Sequence, residues 1–280
     1  MPDWVLIGAD GMLGRAWEEL LQARDVEHVA TTIEDLDITD ANAVAKVVTP
    51  GVKWVVNCAA YTLVDAAEEH EALANEVNGH AVGRMAERCK AVGAKLLHYS
   101  TDYVFDGTAT EPYRTDHPRS PVNAYGRSKA LGEELLEQSG VEHLLVRGSW
   151  LYAPWGQNFV LTMRDLAKSR DRLRVVDDQR GRPTDSRRLA EVSLALADAG
   201  QHGTFHVTDG GECTWYELAS LVAKIVNPHC IVDPCTSEEF PRPALRPAYS
   251  VLDVSATEEV VGPLIRWRES IQALLATVED

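Results

Sequence analysis

The sequence predicts an α/β fold: a parallel sheet covered by helices on both faces, followed by a smaller, mixed C-terminal part. Three observations lead there. Short apolar runs of strand length alternate with stretches whose apolar residues recur at helical spacing. The first run ends in a glycine-rich turn that opens a helix. The alternation then persists through residues 1–150, the pattern of successive strand–helix–strand units.

Taken in order, Val5-Leu6-Ile7 reads as a short buried strand that Gly8 breaks. Met12 to Ala23 carries Leu13, Trp17, Leu20 and Leu21 on one helical face. Val26 to Thr31 is a second strand. Asp40 is an N-cap for a helix bearing Ala43, Val44 and Val47, because its short carboxylate can accept from the free N–H groups of the first turn. Trp54 to Cys58 is a third strand. Asp65 to Val92 is long and alanine-rich, read as two helical pieces. Lys95 to Ser100, the helix Asn123 to Gln138, and the strand Leu144-Leu145-Val146 complete the regular part. After Trp150 the pattern loosens. Phe159 to Ala167, Arg187 to Ala199 and Tyr216 to Ile225 look helical, Gly203 to Val207 looks like a strand, and Phe240 to Pro247 is a proline-rich loop. Residues 1–150 are therefore expected to bind a dinucleotide, and residues 151–280 mainly the substrate, with the chain free to cross back to the sheet.

Bulk composition narrows the function. The chain has 280 residues, 45% of them hydrophobic and 25% charged, ordinary for a soluble globular protein. A formal charge of −16 argues against nonspecific partnership with nucleic acid or an anionic membrane. No apolar run reaches the roughly 18 residues of a membrane span, and Met1-Pro2-Asp3-Trp4 does not begin a signal peptide. The five cysteines are scattered, form no Cys-x-x-Cys, and fit reduced thiols in a cytoplasmic protein that uses no metal.

Parallel sheets bind ligands beyond the carboxyl ends of their strands. Three loops lie there: Gly8–Gly14, Cys58–Asp65 and Ser100–Gly107. In the first, Gly8, Gly11 and Gly14 surround Asp10, Met12 and Leu13. Such glycines permit a tight turn and let a pyrophosphate approach backbone N–H groups at a helix start. This is the signature of a Rossmann-type sheet. The second loop opens with Cys58, Ala59, Ala60 and Tyr61, mostly small residues against which a flat cofactor can lie. In the third, Ser100 and Thr101 offer hydroxyls. Asp37 and Ile38, after the second strand, are candidates to flank an adenine, or simply a lead-in to the next helix. The coenzyme-selecting position, Thr32, bears neither the carboxylate that favours NAD nor the arginine that welcomes NADP; for want of the carboxylate, NADPH is expected over NADH.

Tyr125 and Lys129 stand four apart, one helical turn from each other. Free tyrosine has a pKa near 10. A neighbouring ammonium favours the phenolate and brings it toward neutrality, so the pair can exchange a proton with a carbonyl oxygen as hydride arrives.

Together these segments resemble the extended short-chain dehydrogenase/reductase family. The run Ser100-Thr101-Asp102-Tyr103-Val104-Phe105-Asp106-Gly107 is similar to its dTDP-4-dehydrorhamnose reductase (RmlD-like) branch. So are Asn57 to Thr62, Asp65, Arg147 with Trp150-Leu151-Tyr152, Asn158-Phe159-Val160, Gly181-Arg182-Pro183-Thr184 and Arg242 to Leu252. The resemblance spans nearly the whole chain. It implies NADPH- or NADH-dependent reduction of the C4 ketone of a dTDP-linked 4-keto-6-deoxy sugar, with Thr101, Tyr125 and Lys129 catalytic. Ser100, Tyr125 and Lys129 would join the glycine turn in holding coenzyme. Thr101, Asp102, Tyr103, Val104, Trp150, Asn158, Arg182 and Arg242 would meet the substrate, Arg182, Arg242 and Arg246 being suited to its diphosphate. Some relatives dimerise through magnesium held by glutamates; Arg187 and Arg188 at the matching segment would repel a cation, so no metal is expected, while a homodimer stays open.

Two rivals remain at this level. A dehydratase on this scaffold needs an Asp-Glu pair after the strand-end threonine, and here Tyr103 follows Asp102. A non-catalytic regulatory subunit resembling the methionine adenosyltransferase beta subunit would share the scaffold, although the complete Thr101, Tyr125 and Lys129 set speaks for chemistry.

Overall fold

The computed structural model describes residues 2–278. Five strands, β1 (Trp4–Ile7), β2 (His28–Thr31), β3 (Trp54–Asn57), β4 (Lys95–Thr101) and β5 (His143–Gly148), join a sixth, Gly203–His206, in one sheet. From one edge the order is β2, β1, β3, β4, β5 and Gly203–His206, with every pairing parallel. The chain thus runs outward from β1 to β2 and then restarts on the other side at β3. That reversal opens a crevice beyond the carboxyl ends of β1 and β3.

The strands are continuous apolar runs because both faces of the sheet are covered. On one face Leu6, Val56, Leu97 and Val146 pack with Leu13, Trp17 and Leu21 of helix α1 (Met12–Ala23) and with Leu189 and Leu196 of the Ser186–Asp198 helix. On the other, Val5, Ile7, Val55, Leu96 and Leu145 meet Val82, Met85 and Leu136. Trp17, wholly buried, keeps its indole N–H satisfied by the Tyr99 hydroxyl at 2.6 Å. A third core, built on the Phe159–Ser169 and Trp215–Val226 helices, fills the C-terminal part.

Helix starts follow the expected chemistry. The Asp40 side chain accepts from Asn42 N, and Asn123 accepts from Gly126 N at 2.7 Å at the start of the Ala124–Ser139 helix. The Asp65–Val92 stretch departs from the expected two pieces. A short helix, Val64–Ala67, is followed by Glu71–Asn75, a π-helical turn Glu76–His80, and Ala81–Val92. The wide turn places Asn78 against the Ala124–Ser139 helix so closely that a Cβ on Gly132 would sit 2.1 Å from the Asn78 carbonyl oxygen. There Asn78 Nδ2 donates to the Tyr61 carbonyl and to Ser128 Oγ, both at 2.9 Å, and its Oδ1 accepts from Tyr61 N at 2.8 Å.

Candidate active site

The glycine turn closes directly on β2 and β3. Gly8 N and Ala9 N both donate to the Thr31 carbonyl at 2.9 Å, and Cys58 N donates to the Ile7 carbonyl at 2.9 Å. Gly8 adopts φ +80°, and a Cβ there would lie 2.7 Å from Ala59 N; one on Gly14 would lie 1.9 Å from the Gly8 carbonyl oxygen. Only glycine allows this packing. Helix α1 begins at Gly11 with no side-chain cap and no acid in its first turn. Its free N–H groups therefore face the crevice with the positive end of the helix dipole, a cradle that fits a pyrophosphate. Asp10 and Gly11 are exposed and Met12 half-buried, whereas Leu13 belongs to the core, leaving only its backbone to a ligand. Opposite, Cys58, Ala59, Ala60 and Tyr61 form a partly exposed ledge, stiffened by buried Asn57, whose Oδ1 accepts from Ala59 N at 3.1 Å.

At the end of β4 stand Ser100, Thr101 and Asp102. Thr101 Oγ1 donates to Asp102 Oδ1 at 2.9 Å and accepts from Tyr103 N at 3.2 Å. Across from them the Ala124–Ser139 helix presents Tyr125 and Lys129. The Tyr125 ring packs, as does Tyr61, against buried Ala67, Ala74 and Ala124, and meets Tyr103 edge-on at 6.1 Å between centroids; the Thr101 hydroxyl lies near enough to act on its phenol. Lys129 is buried, and its Nζ donates to the Tyr99 carbonyl at 2.6 Å. It lies close enough to Cys58 for their charges to influence each other. Thr101, Tyr125 and Lys129 thus border the same crevice as the ledge and the glycine turn.

The electrostatics differ from the sequence expectation. Burial, followed by the negative charge of Asp102, pushes the Tyr125 phenol above its ordinary range, and only the Thr101 hydroxyl pulls it down. Lys129 does not draw the phenol down here, because its ammonium is turned onto the Tyr99 carbonyl and is itself lowered to about 8 by burial. Asp102 is raised to about 6, again chiefly by burial.

Other expected contacts are reassigned by folding. Val104 is fully buried with Phe105, Tyr113 and Leu252, so it supports the site from beneath. Asn158 is spent on structure: its Oδ1 accepts from Leu161 N at 3.1 Å as a helix cap, and its Nδ2 donates to the Ala153 carbonyl at 2.9 Å. Ile38 is core, not an adenine platform, and Asp37 turns onto Thr39 N and Oγ1 at 2.8 Å. Arg242 and Arg246 are both claimed by Asp65, at 2.7 Å each. Arg182, by contrast, is half-buried with its Nε unpartnered among the described residues. Trp150, just past β5, holds φ +50° and stacks on Trp215 at 3.6 Å, over a Gly181 whose Cβ would strike its ring at 2.7 Å. Such a backbone outlier persists only where its surroundings over-determine it. Contrary to the expectation from Thr32, Asp35 folds back so that its Oδ2 accepts from Thr32 N at 3.0 Å and Thr32 Oγ1 at 2.9 Å, bringing a carboxylate to the end of β2.

Three contributors went unread in the sequence. Asn78 ties the ledge to the Tyr125 helix, and nothing in its alanine-rich surroundings marks it. Glu133, fully buried, grips Arg147 of β5 through paired bonds of 2.8 and 2.7 Å and takes a third from Arg119 at 3.1 Å. Its position four residues past Lys129 is the signal that could have revealed it. Tyr99, whose carbonyl holds Lys129, carries no sequence signal.

The model of the RmlD substrate binding domain family matches residues 3–279. The chain belongs to that family. A dTDP-4-dehydrorhamnose reductase of Streptomyces griseus is 43% identical, covering 96% of this chain and 92% of its own length. A dTDP-4-keto-6-deoxy-D-glucose reductase of Streptomyces niveus is 40% identical, covering 96% and 94%. The crystal structure of dTDP-4-dehydrorhamnose reductase from Bacillus anthracis in complex with NADP superposes with a TM-score of 0.92 at 35% identity, covering 99% of each chain. These likenesses place an RmlD-family chain on a Rossmann-type sheet.

Proposed function

We propose that this RmlD-family protein is an NAD(P)H-dependent reductase of the C4 ketone of a dTDP-linked 4-keto-6-deoxy sugar, converting dTDP-4-dehydro-L-rhamnose to dTDP-L-rhamnose. The observation that carries this reading is the convergence of Thr101, Tyr125 and Lys129 on the crevice bounded by the glycine turn and the Cys58–Tyr61 ledge. Residues 1–150 supply most of the coenzyme site and residues 151–280 mainly the substrate side. The reduced coenzyme, when bound, supplies hydride to the ketone carbon. The α1 N-terminus and glycine turn hold its pyrophosphate. Lys129 binds the nicotinamide ribose. Tyr125, kept protonated by burial and by the charge of Asp102, gives its proton to the ketone oxygen. Thr101 orients that oxygen beside Tyr125, Trp150 offers an aromatic face to the deoxysugar, and Arg182 has the unpartnered N–H suited to a diphosphate. Arg242 can contribute only by leaving Asp65.

The five thiols are unpaired and four of them buried, in keeping with a cytoplasmic enzyme. No described helix is long and apolar enough to cross a membrane. The Streptomyces niveus relative motivates one second reading, a reductase of dTDP-4-keto-6-deoxy-D-glucose, which uses the same carbonyl chemistry on a different sugar stereoisomer.

The test is oxidation of NADH and NADPH at 340 nm with each nucleotide sugar, with products identified by NMR. Turnover should fall about 10²–10⁴-fold in Tyr125→Phe while coenzyme still binds. Tight coenzyme binding without turnover in the unaltered protein would convert the reading to a regulatory subunit.

A further inference from the structure

The first turn of α1, the proposed pyrophosphate cradle, is held by a residue from the far side of the molecule. Trp155, 143 positions along the chain from Met12, donates its indole Nε1 to the Met12 carbonyl at 3.0 Å. That carbonyl and the Leu13 N–H belong to one planar peptide unit. The Leu13 N–H lies in the first turn of α1, where no side chain caps it, so it is left to the crevice. A carbonyl oxygen has two lone pairs, so Met12 can serve Trp155 and the helix ladder together. Accepting the second bond polarises the peptide and makes its N–H a stronger donor. We propose that Trp155 is a positioning residue for the coenzyme: through the Met12 carbonyl it fixes and strengthens the Leu13 N–H as a donor to the pyrophosphate. The inference rests on the reading of the glycine turn as the coenzyme site.

The surroundings of Trp155 aim it with more than apolar contact. Past β5 the chain pairs Leu151–Tyr152 in parallel with Thr184–Asp185, so the turn after Tyr152 and Arg187 reach α1 together. Asn158 gathers that turn, its Nδ2 donating to the Ala153 carbonyl at 2.9 Å and to the Trp155 carbonyl at 3.3 Å. Over the Trp155 ring lie two guanidiniums, Arg15 at 4.4 Å and Arg187 at 4.6 Å from its centroid. Both also donate to Glu19 of α1, Arg15 Nε at 3.2 Å and Arg187 Nη2 at 3.1 Å. The ring face attracts these cations, and the cations are registered to α1, so the indole edge is held toward Met12. An indole serving only as an apolar cover would need neither the cations nor the bond to a first-turn carbonyl. A turn of the substrate-side part thereby completes the cradle that the glycine turn begins.

The experiment compares Trp155→Phe and Trp155→Ala with the unaltered protein. The phenyl ring keeps an aromatic face for the two guanidiniums and loses only the N–H, whereas alanine loses both. Calorimetric titration measures Kd for ADP-ribose, which carries the pyrophosphate without the nicotinamide, and for dTDP as a ligand of the substrate side. Both variants should bind ADP-ribose about 3- to 10-fold more weakly, the net worth of one hydrogen bond, with Kd for dTDP within about twofold. In the reductase assay KM for NADH should rise by the same factor, and kcat at saturating coenzyme should stay within about twofold. Trp155→Phe decides the matter if Trp155→Ala does not fold. Unchanged ADP-ribose affinity in Trp155→Phe overturns the proposal, because any loss confined to Trp155→Ala belongs to the ring. Equal weakening for ADP-ribose and dTDP marks a general loosening and overturns it too. Gly11→Asp tests the reading beneath. An acid at that N-cap takes up first-turn N–H groups and repels a pyrophosphate. If it leaves ADP-ribose affinity unchanged, the glycine turn is not the coenzyme site and the underlying reading fails instead.

Discussion

At the residue scale, the site is governed by burial more than by pairing. Lys129 is the clearest case. Its pKa of about 8, against an ordinary 10.5, comes first from burial, with Glu133 and Cys58 opposing. Between those values the unfolded chain binds more protons than the native one, so native stability rises with pH across the window, and the cost of burying the ammonium is felt in full below it. On the proposed role of Lys129 at the nicotinamide ribose, coenzyme binding should run the other way, because that contact needs the charged form. Affinity for NADH is expected to weaken about tenfold as pH climbs from 7 to 9, and Lys129→Met should bind weakly with no such slope. Fluorescence titration at several pH values checks both, and a slope that survives in Lys129→Met would assign the titration elsewhere. The Tyr125 and Lys129 pair was suggested by residue type and spacing, and Thr101 joined it through the family resemblance. The direction in which Tyr125 is shifted was not, because it depends on the distance to Asp102 and on which carbonyl captures the Lys129 ammonium.

At the scale of elements, the Ala124–Ser139 helix is the part that must not move. Its Glu133 forms a bidentate ion pair with Arg147 of β5 in which both side chains are almost wholly buried. Breaking such a pair strands a charge, which costs about 3–5 kcal/mol, whereas the intact pair adds little net stability. Glu133→Gln is therefore expected to lower Tm by on the order of 10 °C in calorimetry, and loss of less than a degree would show that the guanidinium finds another partner. The helix itself, read from sequence as Asn123 to Gln138, spans Ala124–Ser139, with Asn123 as its cap. The π-helical turn Glu76–His80 could not. Its register answers to a close approach at Gly132 and to Tyr61, both distant in the chain.

At the scale of the whole molecule, a strap ties the proline-rich loop to Asp65 and to the start of the Ala124–Ser139 helix. Asp65, just beyond the ledge, accepts from Arg242, Arg246 and Ala244 N, which lie on the proline-rich loop far along the chain, and Asn123 Nδ2 donates to the Leu245 carbonyl at 2.8 Å. The Arg246 hydrogen bond chiefly holds the Asp65 carboxyl down to about 2. A depressed carboxylate contributes stability present above its ordinary pKa of 3.8 and lost as pH falls toward 2. The strap should therefore be intact throughout the neutral range. Asp65→Ala should free both guanidiniums and speed limited proteolysis between residues 240 and 247 several-fold at pH 7, with far-ultraviolet circular dichroism unchanged. Equal cleavage rates would mean that Asn123 and local packing hold the loop unaided.

What the sequence alone determined was whatever local physics encodes: alternating strand and helix periods, a glycine turn that no larger residue fits, and a tyrosine and lysine one helical turn apart. Family resemblance extended this to a reaction class. What only the tertiary structure decided was the disposition of charge and side-chain partners: Asp65 claiming Arg242 and Arg246, Asp35 folding onto Thr32, Asn158 and Val104 serving structure, and Asp102 buried behind Thr101. Periodicity reports which face of an element is covered. It does not report which polar group from a distant segment arrives there, and in a buried site that arrival sets both the hydrogen bonds and the cost of each charge.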